Sequence, residues 1–184
     1  MKNKNLKIFS LITVILSVLI FSAFQLKETN TEEENEINWL TFEQAIDLQK
    51  KEPKMIIIDF YTDWCGWCKK MDASTFQDQE VVKNIQKNFY AVKFNAEQAN
   101  EVTYQGKVYT LKTANGRATH ELAAELGSAN GRLGYPTIVV LDNKGLKLGT
   151  HPGFSDAENM NKLLQFYSTD IHTKKTWNDF INGL

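Results

Sequence analysis

The sequence predicts a three-layer α/β fold, with one central mixed β-sheet and helices on both faces. Three observations predict it. Met55–Tyr61, Phe89–Phe94 and Thr137–Leu141 are apolar runs rich in β-branched and aromatic residues, as strands buried on both faces require. Helix-start signals fall between and after them. The order also alternates strand and helix early but places two strands together late, which fits a mixed sheet.

Taken along the chain, Thr41-Phe42-Glu43-Gln44 is a capping box. It opens a helix to about Lys51 whose apolar face is Phe42, Ala45 and Ile46 with Gln49 at its edge; Pro53 stops it. The strand Met55–Tyr61 follows. Asp78 caps a short helix carrying Val81, Val82 and Ile85, and the strand Phe89–Phe94 comes next. Residues 96–117 break this rhythm. Within them, Val102-Thr103-Tyr104 and Val108-Tyr109-Thr110 flank Gln105-Gly106-Lys107 and read as a small hairpin. Thr119 is the expected cap of a helix ending at Gly127. The strand Thr137–Leu141 leads through the turn Asp142-Asn143-Lys144-Gly145 into Leu146–Gly149. Ser155 and Glu158 have capping-box spacing ahead of a helix with Met160, Leu163, Leu164 and Tyr167. Thr176 and Asp179 open a short terminal helix bearing Trp177, Phe180 and Ile181.

The chain has 184 residues, enough for one ordinary domain after an apolar N-terminal segment. A composition of 42% hydrophobic and 23% charged residues with only 3 Pro excludes collagen-like and largely disordered chains. The formal net charge of −1 argues against a basic, phosphate-reading surface, so no nucleic acid is expected as a partner. Two cysteines exclude a multi-disulfide scaffold and a four-cysteine zinc site.

Lys2, Lys4 and Lys7 precede the uncharged stretch Ile8–Leu26, and a glutamate-rich stretch follows it. That order directs the chain to the outside with its N-terminus inside. Residues 1–26 are expected to be either a signal peptide or an uncleaved membrane anchor, because the region near Ala23 lacks a clear small-residue cleavage pattern while the run is almost long enough to span. Residues 27–36 read as an acidic linker, 37–170 as the domain with its insertion at 96–117, and 171–184 as a tail with a short helix. The domain is therefore expected to work as an exported protein, in the periplasm or on the outer face of the inner membrane.

Cys65-Gly66-Trp67-Cys68 stands just after a buried strand, where a helix is expected to begin. Two thiols at this spacing can close a small disulfide ring. Cys65, in the first turn, faces unpaired backbone N–H groups and the positive helix end, which favour its thiolate. Cys68 lies one turn further in and is more shielded. This division suits thiol–disulfide exchange, in which one thiolate attacks a substrate disulfide and a second thiol resolves the mixed disulfide. Two blander readings are weaker. A half zinc site needs nearby ligands, but His120, His151 and His172 are scattered without ligand spacing. A purely structural bridge over so short a loop would constrain little of the unfolded chain.

The stretch Asp59-Phe60-Tyr61-Thr62-Asp63-Trp64-Cys65-Gly66-Trp67-Cys68-Lys69 resembles the active-site segment of the thioredoxin superfamily, and more narrowly that of exported bacterial thioredoxin-like thiol:disulfide interchange proteins. Val92-Lys93-Phe94-Asn95 resembles that family's next strand, Gly134-Tyr135-Pro136-Thr137 its cis-proline loop, and Gly153-Phe154 the glycine after its last strand pair. The four motifs come in the family's order and cover roughly residues 37–168. Trp67, the insertion and the C-terminal tail depart from thioredoxin itself.

The resemblance implies a thioredoxin-like fold and a protein thiol–disulfide oxidoreductase with Cys65 as nucleophile and Cys68 as resolving thiol. It implies no cofactor beyond the redox-active disulfide. It implies thiol- or disulfide-containing proteins as substrates, and an upstream dithiol donor. Asp59, a carboxylate in an apolar strand, should have a raised pKa and serve as proton acceptor for Cys68. Lys93 matches the family lysine that modulates this carboxylate. Pro136, cis by resemblance, would lie against Cys65 and leave neighbouring backbone groups free for an extended substrate. Trp64, Trp67 and Tyr135 would form an aromatic rim, with Gly66 and Thr137 as further substrate contacts; taken alone, Trp64 is expected in the core. Reductase is the first reading. An isomerase or oxidase, and a non-catalytic binding module, remain as alternatives because sequence does not set a reduction potential.

Overall fold

The computed structural model describes residues 35–114 and 116–183. The signal or anchor expected at 1–26 lies outside the described residues, as does the acidic linker up to residue 34. No helix among the described residues is long and apolar enough to cross a membrane.

Five strands form one mixed sheet. β1 (Trp39–Leu40) precedes α1 (Phe42–Lys51) and β2 (Met55–Tyr61). Then come α2 (Gly66–Ala73), a 3₁₀ turn at Thr75–Gln77, α3 (Gln79–Asn88) and β3 (Phe89–Asn95). Two hairpins follow, β4 (Val102–Tyr104) with β5 (Lys107–Tyr109) and β6 (Leu111–Ala114) with β7 (Arg117–His120). The chain closes with α4 (Glu121–Gly127), β8 (Thr137–Leu141), β9 (Lys147–Pro152), α5 (Ala157–Ser168), a 3₁₀ turn at Ile171–Thr173 and α6 (Trp177–Asn182). The sheet order is β1-β3-β2-β8-β9. β1, β3 and β2 run parallel, whereas β8 pairs antiparallel with both β2 and β9.

The alternation of β2 assigns its side chains to two cores. Ile56, Ile58 and Phe60 pack with Phe42 and Ala45 of α1 and with Leu122, Ala123 and Leu126 of α4. Ile57 points the other way, into a core with Met71 of α2, Val81, Val82 and Ile85 of α3, and Met160, Leu163 and Leu164 of α5. By the same parity Asp59 faces the side covered by α2, behind the cysteine segment.

The caps at Thr41, Asp78 and Thr176 form as the sequence predicts, the first as a complete capping box. Two others shift by one residue. His120, not Thr119, caps α4: its Nδ1 accepts the Leu122 N–H at 3.2 Å, and Nε2–H donates to the Asn100 carbonyl at 2.9 Å. Thr119 is instead a strand residue of β7, paired with Lys112. Asp156, not Ser155, caps α5 by accepting the Asn159 N–H. In both places an adjacent side chain with a stronger acceptor takes the N–H groups.

The first hairpin of the 96–117 segment forms part of the body of the domain. Val102, Tyr104 and Tyr109 are buried in the core beside Phe42, and the Tyr104 hydroxyl donates to the Gly145 carbonyl at 2.5 Å. At the other end, Trp177 and Phe180 of α6 pack edge-on or tilted against Phe166 of α5. The tail thus covers the α5 side of the sheet.

Candidate active site

Cys65 and Cys68 are joined, with an S–S distance of 2.07 Å and Cα atoms 5.3 Å apart. The bridge forms where β2 ends and α2 begins. Cys65 is the N-cap of α2, and its Sγ accepts the Cys68 N–H at 3.1 Å. The Cys65 N–H is held by the Thr62 carbonyl at 3.1 Å. A helix start leaves N–H groups without intrahelical partners, so a thiolate at Cys65 would gain a hydrogen bond already in place. Cys65 is 4% exposed and Cys68 1%. The order of access is the expected one, although Cys65 is less open than an exposed thiolate would be.

Asp59 is wholly buried. Its Oδ2 accepts from Lys93 Nζ at 2.6 Å, while its Oδ1 has no hydrogen-bond partner. The pairing follows from strand register, since Asp59 stands opposite Lys93 on β2 and β3. Burial pushes the carboxyl up to about 6, against the pull of the Lys93 charge. Lys93 itself is drawn down by burial, but Asp59 and Asp72 outweigh this and raise it. Asp72 gives Lys93 a second ion pair and hydrogen bond. Asp72 is a site residue that stands outside the sequence motifs. Its spacing of four residues from Cys68 was the available signal, because that places both on one helix face.

The Tyr135–Pro136 peptide bond is cis, as the resemblance implies, and the Pro136 carbonyl accepts the Gly153 N–H at 2.8 Å. Thr137 is fully buried and donates its hydroxyl to the Gly134 carbonyl at 2.7 Å. Gly66 opens α2 at the surface, with no atom near the place a Cβ would occupy.

The expectation of a core role for Trp64 is overturned. Trp64 is 67% exposed and Trp67 57%. The body of the domain is already filled by smaller apolar side chains, and the indole N–H of Trp64 instead donates to Glu97 Oε1 at 3.0 Å. Trp64 meets Tyr135 edge-on with centroids 6.0 Å apart. Burial, and then the Glu97 charge, push the Tyr135 hydroxyl up to about 12, so it stays a neutral phenol. Trp67 leans on Phe154 at 5.4 Å. Glu97, Phe154 and Lys70 join the rim through contacts with Trp64 and Trp67 that no sequence motif marks. His120 is a buried cap and His151 a half-buried partner of Tyr167, and among the described residues no group of His, Cys, Asp or Glu could hold a metal ion.

A redox-type Cys-x-x-Cys bridge at the start of a helix, on a mixed sheet of this order, defines a thioredoxin-like chain. The thioredoxin-like domain family matches residues 42–168, and the protein belongs to that family of disulfide oxidoreductases. The chain is 27% identical to the thiol:disulfide interchange protein DsbD of Yersinia enterocolitica over 164 residues, 83% of this chain and 25% of that one. It therefore spans about a quarter of that relative's length. Among solved structures, a thioredoxin-fold protein from Helicobacter pylori aligns over 85% of this chain and 92% of its own, with 17% identity and a TM-score of 0.55. A thioredoxin from Thermus thermophilus aligns over 71% and 85%, with 20% identity and a TM-score of 0.51.

Proposed function

We propose that the protein is an exported thiol–disulfide oxidoreductase that reduces disulfides in protein substrates. The observation that carries the reading is the Cys65–Cys68 bridge at the N-terminus of α2, with Cys65 Sγ accepting the Cys68 N–H and the buried Asp59 on the sheet face behind the helix.

In the reduced protein, the Cys65 thiolate attacks one sulfur of a substrate disulfide and expels the other as a thiolate. A mixed disulfide links Cys65 to the substrate. Cys68 then loses its proton to Asp59, whose carboxyl near 6 is largely ionised at neutral pH. The Cys68 thiolate attacks Cys65 Sγ and expels the second substrate thiolate. Two electrons have passed to the substrate, and the Cys65–Cys68 disulfide remains. A partner protein dithiol returns the electrons, so no further cofactor enters the cycle. Lys93 keeps the Asp59 carboxylate within reach of neutral pH by opposing its burial. Trp64, Trp67 and Tyr135 hold the polypeptide around the bridge, and Pro136 and Gly66 leave room for its backbone; Thr137, expected as a further contact, is wholly buried between β2 and β9 and instead supports the Pro136 loop through Gly134. Pro136 has no N–H to compete with the substrate.

Export rests on the lysine-led apolar run at 8–26, which would act as signal peptide or anchor and place the domain of residues 37–170 in the periplasm or on the outer face of the inner membrane. The match to an interchange protein favours the same setting.

Dithiothreitol-driven reduction of insulin tests the activity. The protein should accelerate insulin precipitation, and Cys65→Ser and Cys68→Ser should each remove the acceleration. A binding module without catalysis would give the uncatalysed rate in all three.

A further inference from the structure

The two flanks of the bridge carry opposite charge. On the Trp67 side, Lys70 Nζ lies over the Trp67 ring at 4.9 Å and over the Phe154 ring at 5.1 Å. Lys70 follows Trp67 by three residues, so the helix brings both to one face. Among the described residues no carboxylate pairs with Lys70 or with its neighbour Lys69, and both are exposed. The two rings hold the Lys70 ammonium beside the bridge while leaving it open to a ligand anion.

On the Trp64 side the sign reverses. Glu97 Oε1 takes the Trp64 indole N–H at 3.0 Å, and the Glu97 backbone N–H is fixed by Asn95 Oδ1 at 2.9 Å. Asp63, beside Trp64 in sequence, is exposed. Among the described residues neither Asp63 nor Glu97 has a Lys or Arg partner. The rings are common to both flanks and supply sequence-tolerant apolar contact. The charges supply direction.

We propose that this rim selects its substrate by charge order: an extended polypeptide with an acidic side chain toward Trp67 and Lys70, and a basic side chain toward Trp64 and Glu97. The proposal rests on the function above and narrows its substrate class. Attack on a disulfide needs the substrate sulfur in line with Cys65, so the chain around that sulfur must pass between the two flanks. A chain laid with the reverse order meets like charges on both sides, which disfavours it more than a neutral chain.

Four short peptides with one cysteine each, as dye-quenched disulfide-linked homodimers, test this. One carries acid then base around the cysteine, one base then acid, one acid on both sides and one base on both sides. Single-turnover reduction by the pre-reduced protein is followed by dye release. One of the two ordered peptides should react about tenfold faster than the other. Salt at about 1 M, where the screening length is about 3 Å, should erase the difference. The double substitution Lys70→Glu with Glu97→Lys should reverse the preference, and Lys70→Gln alone should reduce it. Rate constants within twofold across the four peptides, or a preference that the double substitution leaves in place, would overturn the charge proposal while leaving the oxidoreductase reading intact. Failure of the wild-type protein to reduce any of the four would overturn both.

Discussion

Lys93 Nζ reaches Asp59 Oδ2 at 2.6 Å, yet Asp59 Oδ1 meets no donor. Half of a wholly buried carboxylate is thus left without a hydrogen bond, and Lys93 divides its charge between Asp59 and Asp72. Attraction does not offset the loss of water, and the carboxyl rises to about 6.

Asp59→Asn should therefore stabilise the protein at neutral pH, by on the order of 2 kcal/mol. The folded value lies above the unfolded one, so between about 3.8 and about 6 the native state binds more protons. Stability from this source is present at low pH and is lost as pH rises through that window. The gain of the variant over wild type should be absent below about pH 4, grow through that window and be complete above about pH 6. Urea midpoints at several pH values measure it, and comparing variant with wild type cancels the other titrating groups. The same variant should slow resolution by Cys68, read by stopped-flow.

His151 should contribute the opposite slope. Burial takes its imidazole down to about 4, and Nε2 is 2.7 Å from the Tyr167 hydroxyl. Here the unfolded chain binds the extra proton, so this contribution is complete above the unfolded value near 6.5 and is lost as pH falls through about 4. His151→Gln should flatten the loss of stability between pH 6.5 and 4. An equal slope in the variant would mean that another group governs acid unfolding.

Much of this was legible in the sequence. Three strands, the caps at Thr41 and Asp78 and the cysteine segment are local patterns, written in side-chain period and in a single capping residue. β1 was not legible, because two residues, Trp39 and Leu40, are too few to show a period. The second hairpin escaped because Leu111–Ala114 is half-exposed to exposed and has no apolar alternation. At the site, Asp59, Lys93 and the two cysteines stood out as unusual residues for their surroundings. Asp72, Glu97 and Phe154 did not, since each becomes part of the site through a contact made only in the folded chain: with Lys93, Trp64 and Trp67. The exposed position of Trp64 is hidden in the sequence for the same reason, its partner Glu97 lying on the far side of β3 in sequence.

The reduction potential decides direction. A reductase should have a Cys65–Cys68 couple closer to the thioredoxin value of about −270 mV than to the DsbA value of about −120 mV. Equilibration with glutathione, read by mass, supplies the number. A value near the oxidant end would make the protein an oxidase.

Export is read with a reporter. A periplasm-dependent enzyme fused after Leu184 of the full chain should be active, and a cytoplasm-dependent one silent. The reverse pattern would remove residues 8–26 as a signal or anchor.

The central claim is that Cys65 attacks and Cys68 resolves. Purified Cys68→Ser protein, reduced and then mixed with a disulfide-bonded protein substrate, should form a mixed disulfide that non-reducing gels retain. Peptide mapping should place the link at Cys65, and Cys65→Ser protein should form none. Equal trapping by the two variants, or a link mapped to Cys68 in the Cys65→Ser protein, would contradict the account.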